Sequence, residues 1–309
     1  VSAHTPRISV LLPVRDAAPT LDACLRSISR QGEPAWECVI IDDGSTDASP
    51  EISRGFAARD PRFRLLRGEP RGLVAALSKG LDECRAALVA RMDADDLMHR
   101  DRLSRQAAAL DLDPRIDAVG CHVRIFPRRA LGDGMRAYQA WLDGIDSPDR
   151  LLAEAFVECP IPHPSLMIRR EILVSHGYRD AGWPEDYDLV LRLLAAGHRL
   201  GMVNERLLSW RHAPGRLSQR SPSYAVDRFS ECKAAFLADS FLKEHDEYVL
   251  WGFGGTGRML HRFLCARGKR ASAIVELHPG RIGNTIHGAP VIHPGELGPP
   301  RGRLVASVA

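Results

Sequence analysis

No stretch of the 309-residue sequence is apolar for long enough to span a bilayer, and the N-terminus lacks the zones of a signal peptide. Those two absences predict a cytoplasmic protein. Position 1 is Val rather than Met, so an initiator or short leader is expected to be missing. Paired cysteine spacings are absent too. Seven cysteines (Cys24, Cys38, Cys84, Cys121, Cys159, Cys232 and Cys265) are scattered with no C-x-x-C or metal-finger pattern. Buried free thiols in a reducing compartment are the expectation. Net charge is only +3, which argues against a nucleic-acid partner held by bulk electrostatics. A Gly-rich, basic phosphate loop after the first strand is also missing, since the sequence there reads L-P-V-R-D-A-A-P. That gap weighs against a sugar-nucleotide nucleotidyltransferase. What is present is 45% hydrophobic residues, ample for one large core plus an appendage.

The first hundred residues repeat a strand-then-helix rhythm. Ile8 to Pro13 is an apolar run, and Thr20 to Ser29 carries Leu21, Cys24, Leu25 and Ile28 on one helical stripe. Thr20 is the expected helix cap, with Asp22 in the first turn. In W-E-C-V-I-I-D-D-G-S-T-D, residues 36 to 47, Cys38 to Ile41 reads as a buried parallel strand. It ends in Asp42 and Asp43, and Ser45 or Asp47 is expected to cap the next helix. Phe63 to Leu66 and a helix from Gly72 to Cys84 follow. Ala86 to Ala90 is the fourth strand, leading into R-M-D-A-D-D at 91 to 96 and a helix beginning near Arg100. Alternation of this kind predicts a parallel sheet with helices on both faces.

Two acidic clusters thus end two strands of one sheet, where open α/β sheets bind ligands. Asp93, Asp95 and Asp96 crowd together, and like charges that close disfavour joint ionisation. A divalent cation shared with a substrate phosphate removes the conflict. A sugar nucleotide fits both clusters: one carboxylate accepts from a nucleobase N–H, and the others hold a metal on the diphosphate.

The motifs I-S-V-L-L-P-V, V-I-I-D-D-G-S-T-D, R-G-L-V-A-A-L-S-K-G-L and A-R-M-D-A-D-D resemble those of a family 2 glycosyltransferase of the GT-A fold. C-P-I-P-H-P-S-L-M-I-R-R and W-P-E-D-Y-D-L-V-L-R-L match the acceptor half of that family, so the resemblance runs over about residues 6 to 220. It implies an α/β protein with a Rossmann-like, mostly parallel sheet flanked by helices, and hexosyltransferase-type activity. It places Asp43 on a uracil-type base, and Pro13, Val14, Arg71, Asp93, Ala94 and Arg211 in the donor pocket. Asp93 and Asp95 become ligands of Mn²⁺ or Mg²⁺, Asp95 the better of the two. Asp186, with Glu185 beside it, becomes the catalytic base. The implied partners are a nucleotide-sugar donor, most naturally a UDP-sugar, and a saccharide or lipid-linked acceptor. A lipid-linked acceptor would bring the protein peripherally to the inner face of the membrane.

The chemistry asks for these residue types. Glycosyl transfer builds negative charge on a leaving diphosphate, which a metal and a basic residue stabilise. A carboxylate must take the acceptor's proton. Asp186 opens a segment with Leu189, Leu193 and Leu194 on a helical stripe, and Glu185 and Asp186 could instead serve only the helix dipole. A single base opposite the leaving group implies inversion at the anomeric carbon. Arg211 and His212, in L-S-W-R-H-A-P-G-R-L-S, match a segment that folds over the donor diphosphate, with His212 as a further metal ligand. A solvated basic loop is the alternative for both. His163 is either a structural residue between two prolines or an acceptor contact. Arg102 either holds the aspartates or is exposed. Arg15-Asp16 stands where an aromatic-Asn pair is frequent, and Ser78-Lys79 where Asn is common.

The pattern divides the chain into a GT-A domain at 1–222, a helical linker at 223–246 and a small Rossmann-like domain at 247–309. A-P-G-R-L-S-Q-R-S-P-S, from Ala213, reads as a loop, and Tyr224 to Glu244 as a helix. A strand then leads into Gly252, Gly254 and Gly257, and a second strand ends at Glu276. That context suits a dinucleotide fingerprint. The tail also resembles small nucleotide-binding-type domains of bacterial polysaccharide enzymes, including I-H-G-A-P-V-I at 286 to 292. Only one further strand, Leu304 to Val308, is expected, too little for a two-sided crevice. The glycines then serve helix-on-strand packing or a bound nucleotide, and self-association is one way to complete the sheet. Rival readings of the whole are a non-catalytic binding or oligomerisation scaffold, which would have no need of unpaired cleft carboxylates, and a dehydrogenase, which would lack a complete cofactor fold.

Overall fold

Two apolar runs near the N-terminus become interior strands of a sheet. In the computed structural model, which describes residues 5–213, 215–216, 220–299 and 302–307, β1 (Ile8–Val14) and β2 (Trp36–Asp43) are buried at every position. They pair in parallel, with Pro13 opposite Ile41 and Val14 opposite Asp42. Unbroken apolar strands belong where both faces are covered. β3 (Phe63–Gly68) adds to β2 and β4 (Leu88–Arg91) to β1, both parallel. The crossovers are α1 (Ala18–Ser29), α2 (Ser49–Arg59) and α3 (Leu73–Glu83). Next come β5 (Leu97–Met98), α4 (Arg102–Leu112), β6 (Ala118–Phe126), α5 (Asp133–Asp143) and α6 (Pro148–Glu154). β7 (Met167–Arg169), α7 (Arg170–His176), α8 (Glu185–Ala195) and β8 (Leu200–Arg211) complete the set. The sheet order is β3-β2-β1-β4-β7-β6-β8-β5. It is mostly parallel; β7 runs antiparallel to β4 and β6, and β5 antiparallel to β8.

The expected caps are only partly the observed ones. α1 begins two residues before Thr20, which instead donates its hydroxyl to the carbonyls of Ala17 and Ala94. Proline at the start of α1 and α2 already sets φ for the first turn, so neither N-cap uses a side chain. Ser45 binds across to the start of α1, accepting from the Asp16 N–H; Asp47 accepts there from the Ala18 N–H and, as expected of it, also from the N–H of Ser49, the first residue of α2, at 2.9 Å. Asp16 itself has φ +46°, a left-handed conformation that Asn and Asp tolerate. That demand explains why Asp serves where Asn is frequent. Ser78 and Lys79 donate to the carbonyls of Val74 and Arg67.

α3 lies tightly on β1 and β2. A Cβ at Gly80 would fall 2.3 Å from Leu11 Cδ1 and 2.7 Å from Ile41 Cγ1. Gly80→Ala gains helix propensity of roughly 1 kcal/mol but overpacks a filled layer, and we expect a net loss of about 1–3 kcal/mol. Urea unfolding of the variant checks the sign; an increase in stability would mean the layer is loose.

The chain divides into two compact units, Val1–Asp180 with Glu185–Arg216, and Ala181–Pro184 with Leu217–Ala309. The break falls after Arg216 rather than at 222. Pro214 and residues 217–219 of the expected loop lie outside the described residues. The second unit contains α9 (Val226–Asp239), β9 (Glu247–Trp251), α10 (Gly255–Cys265), β10 (Arg270–Val275), β11 (Thr285–Ile286), β12 (Ala289–Ile292) and β13 (Arg303–Ala306). Val308, expected in the last strand, lies outside the described residues. The helix expected as a linker is core: Ala234, Leu237 and Ala238 pack with Tyr248, Leu250, Leu260 and Ile274. Its apolar stripe needs a partner, and the small sheet supplies one.

That sheet has the order β11-β12-β10-β9-β13, parallel except for β11. β10 and β12 lie on one side of β9 and β13 on the other, so the strand order reverses at β9. A single further strand therefore suffices for a reversal point, contrary to the expectation that the tail is too short to form one. The Gly loop sits there. Gly252 has φ +91°, and a Cβ at Gly257 would stand 2.2 Å from the Gly252 carbonyl oxygen. Close packing of α10 on β9 accounts for both. Glu276 is also occupied: it accepts from the N–H groups of Phe253, Leu277 and His278 and pairs with Arg281 at 3.0 Å.

Candidate active site

The motif at 91 to 96 leaves β4 and is pinned from beneath. Cys24 of α1 donates to the Asp93 carbonyl at 3.3 Å, and Thr20 to that of Ala94 at 3.0 Å. Arg102 is fully buried rather than exposed, and it does not hold the aspartates. Its guanidinium donates to the Arg91 carbonyl at 3.0 Å and to Gln106 at 2.8 Å. Gln106 in turn donates to the Ser165 carbonyl at 2.8 Å. A buried charge thus stitches β4, α4 and the segment before β7, so the acidic loop projects from a rigid base.

Asp93, Asp95 and Asp96 bring carboxylate oxygens within 4.8 Å of one another. Their environments differ. Burial raises Asp93, but the Arg91 guanidinium, ion-paired with it, and Arg216 outweigh burial and hold it below the ordinary range. Asp95 is raised by burial and by Asp93, with the Arg216 guanidinium 3.9 Å away. Asp96 is pushed well up by burial and by both neighbours. Its Oδ1 accepts from the Arg211 N–H at 2.7 Å, while Oδ2 is buried with no partner among the described residues. Hard oxygen donors, crowded like charges and an orphaned carboxylate oxygen together fit a divalent cation.

The other expected donor residues fall around this point. Asp43 is buried at the end of β2; it accepts from the N–H groups of Arg71 at 2.8 Å and Gly72 at 3.0 Å, and Arg15 reaches it at 3.5 Å. Pro13 and Val14 form the buried end of β1. Arg211 donates through Nε to the Asp95 carbonyl at 2.7 Å and lies over Phe126 at 4.6 Å. His212 donates its N–H to the Phe126 carbonyl at 2.7 Å. It is not in the set of side chains within 4.8 Å that could share a metal with the aspartates. Its backbone bond to β6 fixes the chain here without bringing the imidazole into that set.

Glu185 and Asp186 open α8. Glu185 is buried, and His163 Nδ1 stands 3.5 Å from it. His163 also lies 3.4 Å from the Tyr178 hydroxyl. Burial and the Arg91 charge lower His163, with Glu185 opposing them. Among the described residues Asp186 has no such side-chain partner. Its carboxylate accepts from the Tyr187 N–H at 2.7 Å, and burial, then Glu185, pushes it up to about 8. Tyr187 anchors the helix start by donating to the Ala155 carbonyl at 2.7 Å. One carboxylate is therefore tied and its neighbour poised to titrate near neutrality.

A family model described as glycosyl transferase family 2 matches residues 9–176, which include both acidic clusters. The chain belongs to glycosyl transferase family 2. This transferase is 28% identical over 228 residues to the putative glycosyltransferase EpsE of Bacillus subtilis, covering 72% of this chain and 79% of that protein. It is 26% identical over 216 residues to the amylovoran biosynthesis glycosyltransferase AmsE of Erwinia amylovora, covering 69% and 79%. Among solved structures it resembles S. aureus TarS 1-349 in complex with UDP, with TM-score 0.60 and 16% identity over 84% of this chain and 70% of that one. It also resembles the mannosyltransferase PcManGT from Pyrobaculum calidifontis in complex with GDP-Man and Mn²⁺, with TM-score 0.56 and 23% identity over 86% and 70%. At such identities these likenesses establish the α/β fold of a GT-A enzyme.

Sequence reasoning missed two charged residues beside the acidic cluster. Arg91 is buried against Asp93, and Arg216 hangs over Asp95. The signal for Arg91 was available: an arginine at the end of an apolar strand, two residues before an aspartate, is placed to pair with it.

Proposed function

We propose that the enzyme moves a sugar with inversion from a nucleotide-sugar donor, a UDP-sugar, to a hydroxyl of a saccharide or lipid-linked acceptor in cell-surface polysaccharide synthesis. The observation that carries this reading is the pairing of a cation-seeking carboxylate cluster at the end of β4 with a separate, raised carboxylate at the start of α8. Asp43 takes the base N–H at the end of β2, and Pro13, Val14, Arg71 and Ala94 line the donor pocket. Asp95 and Asp93 would hold Mn²⁺ or Mg²⁺. When bound, that ion neutralises the diphosphate as it leaves. Arg211 and His212 close over the donor from the end of β8. Asp186 takes the proton of the attacking hydroxyl, and Glu185, held by His163, keeps its proton affinity high. AmsE is named for amylovoran biosynthesis, which supports a polysaccharide product. No helix among the described residues is long and apolar enough to cross a membrane; with a lipid-linked acceptor the enzyme works at the inner membrane face.

Inversion can be read without the acceptor. Slow hydrolysis of an α-linked UDP-sugar should release the β-anomer first, seen by proton NMR before mutarotation. Initial release of the α-anomer would exclude a single base opposite the leaving group.

A further inference from the structure

Residues 122 to 147 carry no sequence motif, yet they bring aromatic rings into a chain of contacts that reaches the acidic cluster. α5 is fastened to β6 by Gln139, whose side chain accepts from the Ile125 N–H at 2.9 Å, and by buried Leu142. Tyr138 and Trp141 of α5 stack with centroids 5.6 Å apart and planes 21° from parallel. Tyr138 also meets Trp210 of β8 at 6.2 Å. The Arg216 guanidinium lies 5.0 Å from the Trp210 ring and 3.9 Å from Asp95. A continuous line of contacts therefore runs from the metal carboxylates to three rings. At the same rings the charge of the base is felt: after burial and Cys159, Glu158 and Asp186 raise the Tyr138 phenol.

A simple packing role would bury these rings and satisfy their N–H groups. All three rings are only half-buried. Trp141 donates to Glu154 at 2.9 Å, but the Trp210 indole N–H is buried with no partner among the described residues. Partly exposed aromatic side chains beside a few polar groups have the composition of a ligand-site lining, and Trp and Tyr combine an apolar body with a polar tip.

We propose that Tyr138, Trp141 and Trp210 form the acceptor subsite, a wall against which the C–H face of a neutral pyranose ring rests so that its hydroxyl meets Asp186. The rings offer an apolar body with a polar tip, which suits the C–H face of an uncharged saccharide at the acceptor's receiving end. The assignment rests on Asp186 as the base.

Saturation-transfer NMR with methyl glycosides of glucose, galactose, mannose and N-acetylglucosamine, in the presence of UDP and Mn²⁺, tests the wall. We expect at least one glycoside to bind with transfer concentrated on one ring face. Tyr138→Ala should weaken that binding at least tenfold, and Tyr138→Phe should restore it to within threefold. Tyr138→Leu fills the space without a ring and should behave as Tyr138→Ala does, which separates loss of the aromatic face from loss of packing. Binding of none of the glycosides, or binding indifferent to Tyr138→Ala, overturns the proposal. Donor hydrolysis in glycoside-free samples keeps the two readings apart. Hydrolysis without saccharide binding removes the wall and leaves the transferase chemistry standing; saccharide binding without hydrolysis does the reverse.

Discussion

Asp186→Asn should lower donor hydrolysis by about 10²–10⁴-fold, the range expected for loss of a general base. Asn keeps the size of the side chain and the oxygen that accepts from the Tyr187 N–H, but it cannot take a proton. The pH dependence gives a second reading. The wild-type carboxyl, raised to about 8 by burial and Glu185, is protonated and inactive below that pH. Its rate should therefore climb with pH and level off above about 8, and the Asn variant should show no such limb. Stability moves the other way. A carboxyl raised in the fold above its unfolded value of about 3.9 contributes fully below roughly pH 4, and that contribution is lost as pH rises through 8. The variant should then be at least as stable as wild type at pH 9. Loss of activity together with a lower melting temperature at pH 9 would point to structural damage instead of a missing base.

Asp95→Ala should abolish metal-dependent turnover, with a loss of about 10²–10³-fold or more, the scale seen when one element of transition-state charge stabilisation is removed. The variant should fold. Three carboxylates with oxygens within 4.8 Å repel one another without a cation, so deleting one relieves strain in the metal-free protein. Calorimetric titration with Mn²⁺ should show weakened binding, and thermal unfolding without metal should show no loss of stability. Unchanged Mn²⁺ affinity would remove Asp95 from the ligand set.

The N-terminal half of the sheet and its acidic ends were legible because each strand is a short apolar run ending in carboxylates. β1 and β2 are buried throughout, and such strands announce themselves by composition alone. The boundaries were less so. Thr20 looked like a cap, but proline had already fixed the first turn, leaving its hydroxyl for the Ala94 carbonyl 74 residues away. β8 was hidden because Asn204, Glu205 and Arg206 interrupt it where the strand is exposed. Arg102 read as a surface or site residue, and only the fold shows the backbone carbonyls that justify burying it. Arg216 and the Tyr138–Trp141–Trp210 rings escaped for a related reason. Their meaning comes from contacts between α5, β8 and the chain after it, separated by some seventy residues and marked by no local pattern. The helix at Val226–Asp239 shows the same limit: its apolar stripe was visible, but not that it belongs to the core of the second unit.

Metal-dependent use of a nucleotide sugar is the property on which the roles of these carboxylates depend. Hydrolysis of UDP-, GDP- and dTDP-sugars should be followed with Mn²⁺, after EDTA and after Mn²⁺ is restored. We predict selective turnover of one UDP-sugar that stops with EDTA and returns with the ion. Absence of turnover of every donor, together with nucleotide binding indifferent to Mn²⁺, would contradict it and leave the carboxylates without the role assigned to them.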